Sequence, residues 1–197
     1  MLESRKKKVV EKRIASCEGN EKGLHMVHTG NGKGKTSAAM NMVYRHLAHN
    51  MPAVVVQFVK CEDEYPDGDR RLLMKLSEQG FPVTILTMGT GFSWNSTDKN
   101  KDIEAAENAF KKAVEYLNDE TTSLVLLDEV HIAISLAYLD EGRVLEAIKN
   151  KPDFKHVVTT GRRAPESFIE NADLVTEMKQ IKHPMSKKIP AQIGIEY

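Results

Sequence analysis

The stretch Thr29-Gly30-Asn31-Gly32-Lys33-Gly34-Lys35-Thr36-Ser37-Ala38 joins glycines that free the backbone to a lysine and a threonine that can act on phosphate. An apolar run, Leu24-His25-Met26-Val27-His28, precedes it, and an amphipathic stretch follows. A strand, a glycine-rich turn and a helix opening at Gly34-Lys35-Thr36 make a phosphate cradle. Successive backbone N–H groups point inward, and the helix N-terminus adds partial positive charge. Lys35 can reach a terminal phosphate, and the Thr36 hydroxyl can be offered to Mg²⁺. The spacing predicts a nucleoside triphosphate held by Thr29, Gly30, Asn31, Gly32, Lys33, Gly34, Lys35, Thr36 and Ser37. It departs from the common G-x-x-x-x-G-K-[ST] pattern, because position 29 is threonine where the first glycine is expected. A turn of different shape is therefore expected, with the nucleotide seated differently in it.

Ser123-Leu124-Val125-Leu126-Leu127-Asp128-Glu129 is an apolar run ending in two carboxylates. Alone it fits either a helix capped by Asp128 or a metal-binding strand tip. The glycine loop upstream favours the second, with Thr36, Asp128 and Glu129 holding a divalent cation. His131 is expected to be partly buried and structural, outside the site. Gly89-Thr90-Gly91-Phe92-Ser93-Trp94-Asn95 carries two aromatics, including the single tryptophan, in a glycine-bearing loop. Those residues fit a platform for a large planar ligand or a small satellite core under the loop. In Thr159-Thr160-Gly161-Arg162-Arg163, Arg162 is the residue placed to meet phosphate and Arg163 is expected in solvent. Gln57 and Lys60 close an earlier apolar run and could line the same cleft.

These groups need elements that bring them to one place. Strands are expected at 24–29, 53–59, 83–88, 123–128, 156–160 and 174–178. Most are short continuous apolar runs, as in strands covered on both faces. Between them, Ala39, Met40, Val43 and Leu47 form an apolar stripe on a helix over 36–49, which Asn50 and Pro52 stop. Ile103, Ala106, Phe110, Ala113, Val114 and Leu117 do the same over 101–118. Shorter helices fit 69–79, 141–150 and 165–171. The alternation predicts an α/β fold, a mostly parallel sheet with helices on both faces, and ligands at the carboxyl ends of its strands. Residues 1–20 are expected as an N-terminal arm or helix, and 21–197 as a single domain. The cluster Arg5-Lys6-Lys7-Lys8 in that arm reads as a solvated face.

Composition narrows the partners. Lys+Arg and Asp+Glu both number 28 in 197 residues, so no excess positive charge favours nucleic acid. No apolar run approaches the ~20 residues that span a bilayer, and no signal-peptide core is expected, so no membrane partner is expected either. Cys17 and Cys61 form no CxxC pair, which suits a reducing cytoplasm.

Together these motifs resemble one family, the phosphate-loop class of ATP:corrinoid adenosyltransferases. The resemblance rests on TGNGKGKTSAA at 29–39, VVQFVK at 55–60, TGFSW at 90–94, VLLDE at 125–129, TTGR at 159–162 and AQIGIEY at 191–197. It spans roughly residue 24 to the C-terminus and includes the displaced glycines. It implies a RecA-like phosphate-loop fold. It also implies transfer of the 5′-deoxyadenosyl group of ATP to the Co(I) centre of a corrinoid, with triphosphate released and Mg²⁺ or Mn²⁺ as cofactor. In that reading Lys35 and Glu129 act on the triphosphate and its metal. Phe92 and Trp94 sit on the lower face of the corrin and leave a four-coordinate cobalt that is easier to reduce. The resemblance further implies a homodimer, a flavoprotein reductant, and residues 1–20 as a lid over the site. Ser37 stands where a second threonine is common, and Glu62-Asp63-Glu64-Tyr65 lengthen the loop after the second strand.

Overall fold

The computed structural model describes residues 22–61, 67–91 and 98–196. The arm at 1–20, and Phe92 and Trp94, lie outside the described residues.

Among the described residues six strands form one sheet: β1 His25–Thr29, β2 Ala53–Gln57, β3 Val83–Thr87, β4 Leu124–Asp128, β5 His156–Thr160 and β6 Leu174–Glu177, in the order β3-β2-β4-β5-β1-β6. Every pairing between them is parallel. The helices are α1 Lys35–Ala48, α2 Gly68–Glu78, α3 Lys99–Asn118, α4 Val130–Ser135, α5 Glu141–Lys149 and α6 Glu166–Asn171, followed by a 3₁₀ turn at Pro184–Lys187. The expected strands and the longer helices are all present, within two residues at each end. The α/β architecture read from the sequence is the architecture observed.

Side chains alternate across a strand, so neighbouring residues serve opposite faces. Val54, Val56, Val125 and Leu127 face a core shared with Ala106, Phe110 and Ala113 of α3 and with Val144 and Ile148 of α5. Ala53, Val55, Leu124 and Leu126 face the other core, with Ala39, Met40, Val43 and Leu47 of α1 and Leu73 of α2. Each fully buried aliphatic side chain contributes about 1.5–3 kcal/mol, so the two cores hold the sheet rigid between two helical layers. Helix α1 ends as its sequence requires. His49 caps it, Asn50 takes a left-handed φ of 54° and Pro52 follows.

Two elements differ from expectation. Strand β6 is exposed along its whole length, at the edge of the sheet. Helix α4 was expected only as the alternative to a metal-binding strand tip, and its cap is Glu129 rather than Asp128. Its sequence, VHIAIS, has no polar punctuation, and its start depends on Glu129 adopting a left-handed φ of 61°. No helix among the described residues is long and apolar enough to cross a membrane.

Candidate active site

The phosphate loop leaves β1 and enters α1, whose N-cap is Gly34 at φ 109°, a conformation that a Cβ would strain. The displaced glycines have a local cause. The chain after β6 passes directly over the loop, with Gly32 N–H donating to the Met178 carbonyl at 2.6 Å. A Cβ on Gly30 or Gly32 would lie 2.5 or 2.7 Å from that same carbonyl oxygen. The glycine spacing thus fits a backbone crossing as well as a phosphate. The Gly32 N–H is already engaged and is not among the amides free to face a ligand.

Lys35 is buried, and its ammonium donates to the Gly30 and Gly32 carbonyls at 2.9 and 2.7 Å. Burial lowers its pKa; Arg162 and Lys33 add to that, while Glu129 and Asp128 oppose it. Thr29 turns its hydroxyl to the Ala164 N–H at 3.1 Å, so it braces the start of the segment before α6. Asn31 and Ser37 are exposed, and Lys33 pairs with Glu196. Arg162 and Arg163 are both exposed; Arg162 is near enough to Lys35 and Glu129 to act on their ionisation.

Asp128 is fully buried at the tip of β4, and its carboxylate is saturated. Oδ1 accepts the Thr36 hydroxyl at 2.9 Å and the Thr160 hydroxyl at 2.8 Å. Oδ2 accepts Gln57 Nε2 at 3.3 Å and faces Lys60 Nζ at 3.1 Å. A carboxylate offers about four acceptor positions, and all are taken. The network continues outward. Lys60 also meets Asp67 at 3.2 Å, Gln57 Nε2 donates to Asp67 at 3.0 Å, and Thr87 donates to Gln57 Oε1 at 2.7 Å. Asp67 in turn caps α2 through the Asp69 and Arg70 N–H groups.

Glu129 differs from its neighbour. Its N–H donates to Thr160 Oγ1 at 2.9 Å, while its carboxylate has no hydrogen bond among the described residues. Burial and then the Asp128 charge push its pKa up to about 7, against the pull of Lys35, Lys60 and Arg162. Its left-handed backbone turns the chain at the strand tip, a strained conformation of the kind that recurs at functional sites. Glu129 follows Asp128, which holds the Thr36 hydroxyl, and a hard carboxylate together with that hydroxyl is a donor set that suits Mg²⁺ or Mn²⁺ completed by phosphate oxygens.

His131 is fully buried on α4, more deeply than expected, and packs edge-on against Phe168 with ring centroids 5.1 Å apart. It belongs to the core, as anticipated. The sequence singled out Lys35, Thr36, Asp128, Glu129, Arg162, Gln57 and Lys60, and the sheet brings them to one edge. It did not single out Asp67, Thr87 or the Met178 backbone. Asp67 alone left a signal, as an acidic residue before Gly68-Asp69 at a helix start.

The model of the family "ATP:corrinoid adenosyltransferase BtuR/CobO/CobP" matches residues 21–197. A corrinoid adenosyltransferase of a Sinorhizobium species is 46% identical over 193 residues, covering 98% of this chain and 88% of that one. One of Pseudomonas aeruginosa is 44% identical over 193 residues, covering 98% and 92%. That of Salmonella typhimurium is 33% identical over 188 residues, covering 95% and 92%. With the phosphate loop, the paired carboxylates and the arginine after β5 meeting at one sheet edge, this chain belongs to the ATP:corrinoid adenosyltransferase family.

Proposed function

We propose that the chain transfers the 5′-deoxyadenosyl group of ATP to the Co(I) centre of a corrinoid, in the making or salvage of adenosylcobalamin. The observation that carries this reading is the convergence of Lys35, Thr36, Glu129 and Arg162 beside a loop whose glycine spacing departs from the common phosphate loop. The cobalt supplies the electron pair for the new Co–C5′ bond. The C5′–O bond breaks, its electrons leave with the triphosphate, and no protein nucleophile or general base is needed. The protein's task is to hold a polyanionic leaving group and neutralise charge as it develops. Lys35 and Arg162 supply cations, and the loop amides left free supply dipoles. Thr36 and Glu129 would hold Mg²⁺ or Mn²⁺, which when bound would neutralise further triphosphate charge. Asp128, saturated by four partners, orients the Thr36 hydroxyl from behind.

The reading extends to parts that lie outside the described residues. Phe92 and Trp94 would hold the corrin's lower face and favour a four-coordinate cobalt, and residues 1–20 would cover the site. A flavoprotein would deliver the electron that makes Co(I). The exposed Leu174 and Val175 on edge strand β6 support a homodimer. The cytoplasm is the compartment proposed for this chemistry.

The test is a spectrophotometric assay with ATP, Mg²⁺ and chemically reduced Co(I) cobalamin, followed by analysis of the phosphate product. Adenosylcobalamin with intact triphosphate is expected. ADP or orthophosphate without a corrin product would replace this reading with an ordinary phosphotransferase or ATPase.

A further inference from the structure

Lys60 lies just past β2, where the backbone is tied on both sides. Phe58 N–H donates to the Asp128 carbonyl at 3.0 Å, and Gly89 N–H donates to the Lys60 carbonyl at 3.0 Å. Its ammonium is held between two carboxylates, Asp128 at 3.1 Å and Asp67 at 3.2 Å. Burial would lower its pKa, but the two carboxylates outweigh burial and keep the ammonium charged. Neither carboxylate is free to drift. Asp67 is fixed by the α2 N-terminal amides, and Asp128 by Thr36, Thr160 and Gln57.

The two oxygens of Asp128 therefore serve opposite sides. Oδ2 is fixed by Lys60 and Gln57, and Oδ1 is left to orient two hydroxyls. Rotation of the carboxylate would break both sets together. Without the ammonium, Asp128 would lose its nearest cation while Asp67 and Glu129 remain, and the cheapest relief would be to turn away from Thr36.

We infer that Lys60 is a positioning residue for the metal–nucleotide site: through Asp128 it sets the Thr36 hydroxyl that the divalent cation uses. This rests on the reading above that Thr36 and Glu129 hold the metal. Lys60 itself touches neither the metal nor the phosphates, which separates it from Lys35 and Arg162.

The measurement is calorimetric titration of ATP into the full chain, in excess Mg²⁺ and again in EDTA. Removing the outer partner of a metal ligand typically changes metal affinity about 10- to 100-fold, and Lys60 acts through that partner, Asp128, so about tenfold applies. Lys60→Met should weaken Mg²⁺-ATP binding by that factor and ATP binding in EDTA by less than about threefold. Lys60→Arg should bind Mg²⁺-ATP within about threefold of the parent. Should Lys60→Met fail to fold, the double variant Lys60→Met/Asp67→Asn, which also removes the surplus carboxylate charge, carries the same expectation. Equal losses in Mg²⁺ and in EDTA would make Lys60 a direct phosphate contact and overturn the inference, as would an unchanged Mg²⁺-ATP affinity. A parent chain that binds ATP equally well with and without Mg²⁺ would refute the metal reading instead, whatever the variants do.

Discussion

Replacing Asp128 by asparagine changes one atom of a saturated carboxylate and removes its charge. The amide oxygen can still accept the Thr36 and Thr160 hydroxyls. The amide nitrogen then stands where Oδ2 stood, facing Gln57 Nε2 and Lys60 Nζ, which lay 3.3 and 3.1 Å from Oδ2. Three donors would meet there, with only Asp67 left to accept from Gln57 and Lys60 and nothing for the new amide nitrogen. Gln57 cannot turn its oxygen inward without aiming it at Asp67, to which its nitrogen now donates at 3.0 Å. Losing a hydrogen bond to a buried charged group costs about 1.5–3 kcal/mol, and breaking a buried ion pair about 3–5 kcal/mol. Lys60 keeps Asp67 as a partner, which places the sum near the low end, about 3 kcal/mol. With a urea slope of roughly 2 kcal/mol per molar, the unfolding midpoint should fall by about 1.5 M. Circular dichroism in urea at neutral pH, without nucleotide, reads this directly. A loss under about 1 kcal/mol would mean that the network around Asp128 is not closed as described, and the argument from saturation would fall with it.

Lys35→Ala should lower adenosyl transfer by at least about a hundredfold, the usual effect of removing a group that meets developing charge; near-normal rates would take the phosphate loop out of the mechanism. Gly32→Ala, whose Cβ would lie 2.7 Å from the Met178 carbonyl oxygen, should cost about 3 kcal/mol in thermal unfolding, because backbone must shift to admit it. Gly34→Ala, which meets no atom within 4 Å but sits at φ 109°, should cost about 1 kcal/mol; the same small cost at both positions would remove the backbone crossing as the reason for Gly32. His131 has neither ring nitrogen in a hydrogen bond, and burial lowers its pKa from 6.5 to about 3. Between those values the unfolded chain holds the extra proton, so stability present above pH 6.5 is lost as pH falls toward 3. His131→Leu should therefore gain about 2 kcal/mol on the parent between pH 7 and pH 5, and a pH-independent difference would show that the ring is not held neutral.

The sequence makes legible what local pattern dictates. Apolar runs mark the strands, the stripe of Ala39, Met40, Val43 and Leu47 marks α1, and Gly34-Lys35-Thr36 marks the loop, because each depends on residues close together in the chain. What it leaves open depends on strand order. Thr160 reaches Asp128 because β5 lies between β4 and β1, and Met178 crosses the loop because β6 lies beside β1. No periodicity specifies that order. The exposure of β6 escaped for the same reason, since its apolar residues look like those of a covered strand until its place at the edge is known.

The pairing of β1 has a consequence for the order in which the molecule can be made. This strand, which carries the phosphate loop, is the first of the six to leave the ribosome, yet its two neighbours are β5 and β6. Residues 25–28 must wait for 157–160, and residues 26–29 for 174–177, before their backbone groups are paired. The four strands synthesised second to fifth can begin to associate without it. Nucleotide therefore cannot nucleate folding on a nascent chain, because the Met178 carbonyl that braces the loop arrives after β6. Such long-range parallel pairing is slow to form, and the first strand, mostly apolar, stays unpaired meanwhile and open to misassociation. Supplying ATP should raise the yield of folded chain by trapping finished molecules, with no effect on how fast the early intermediates form.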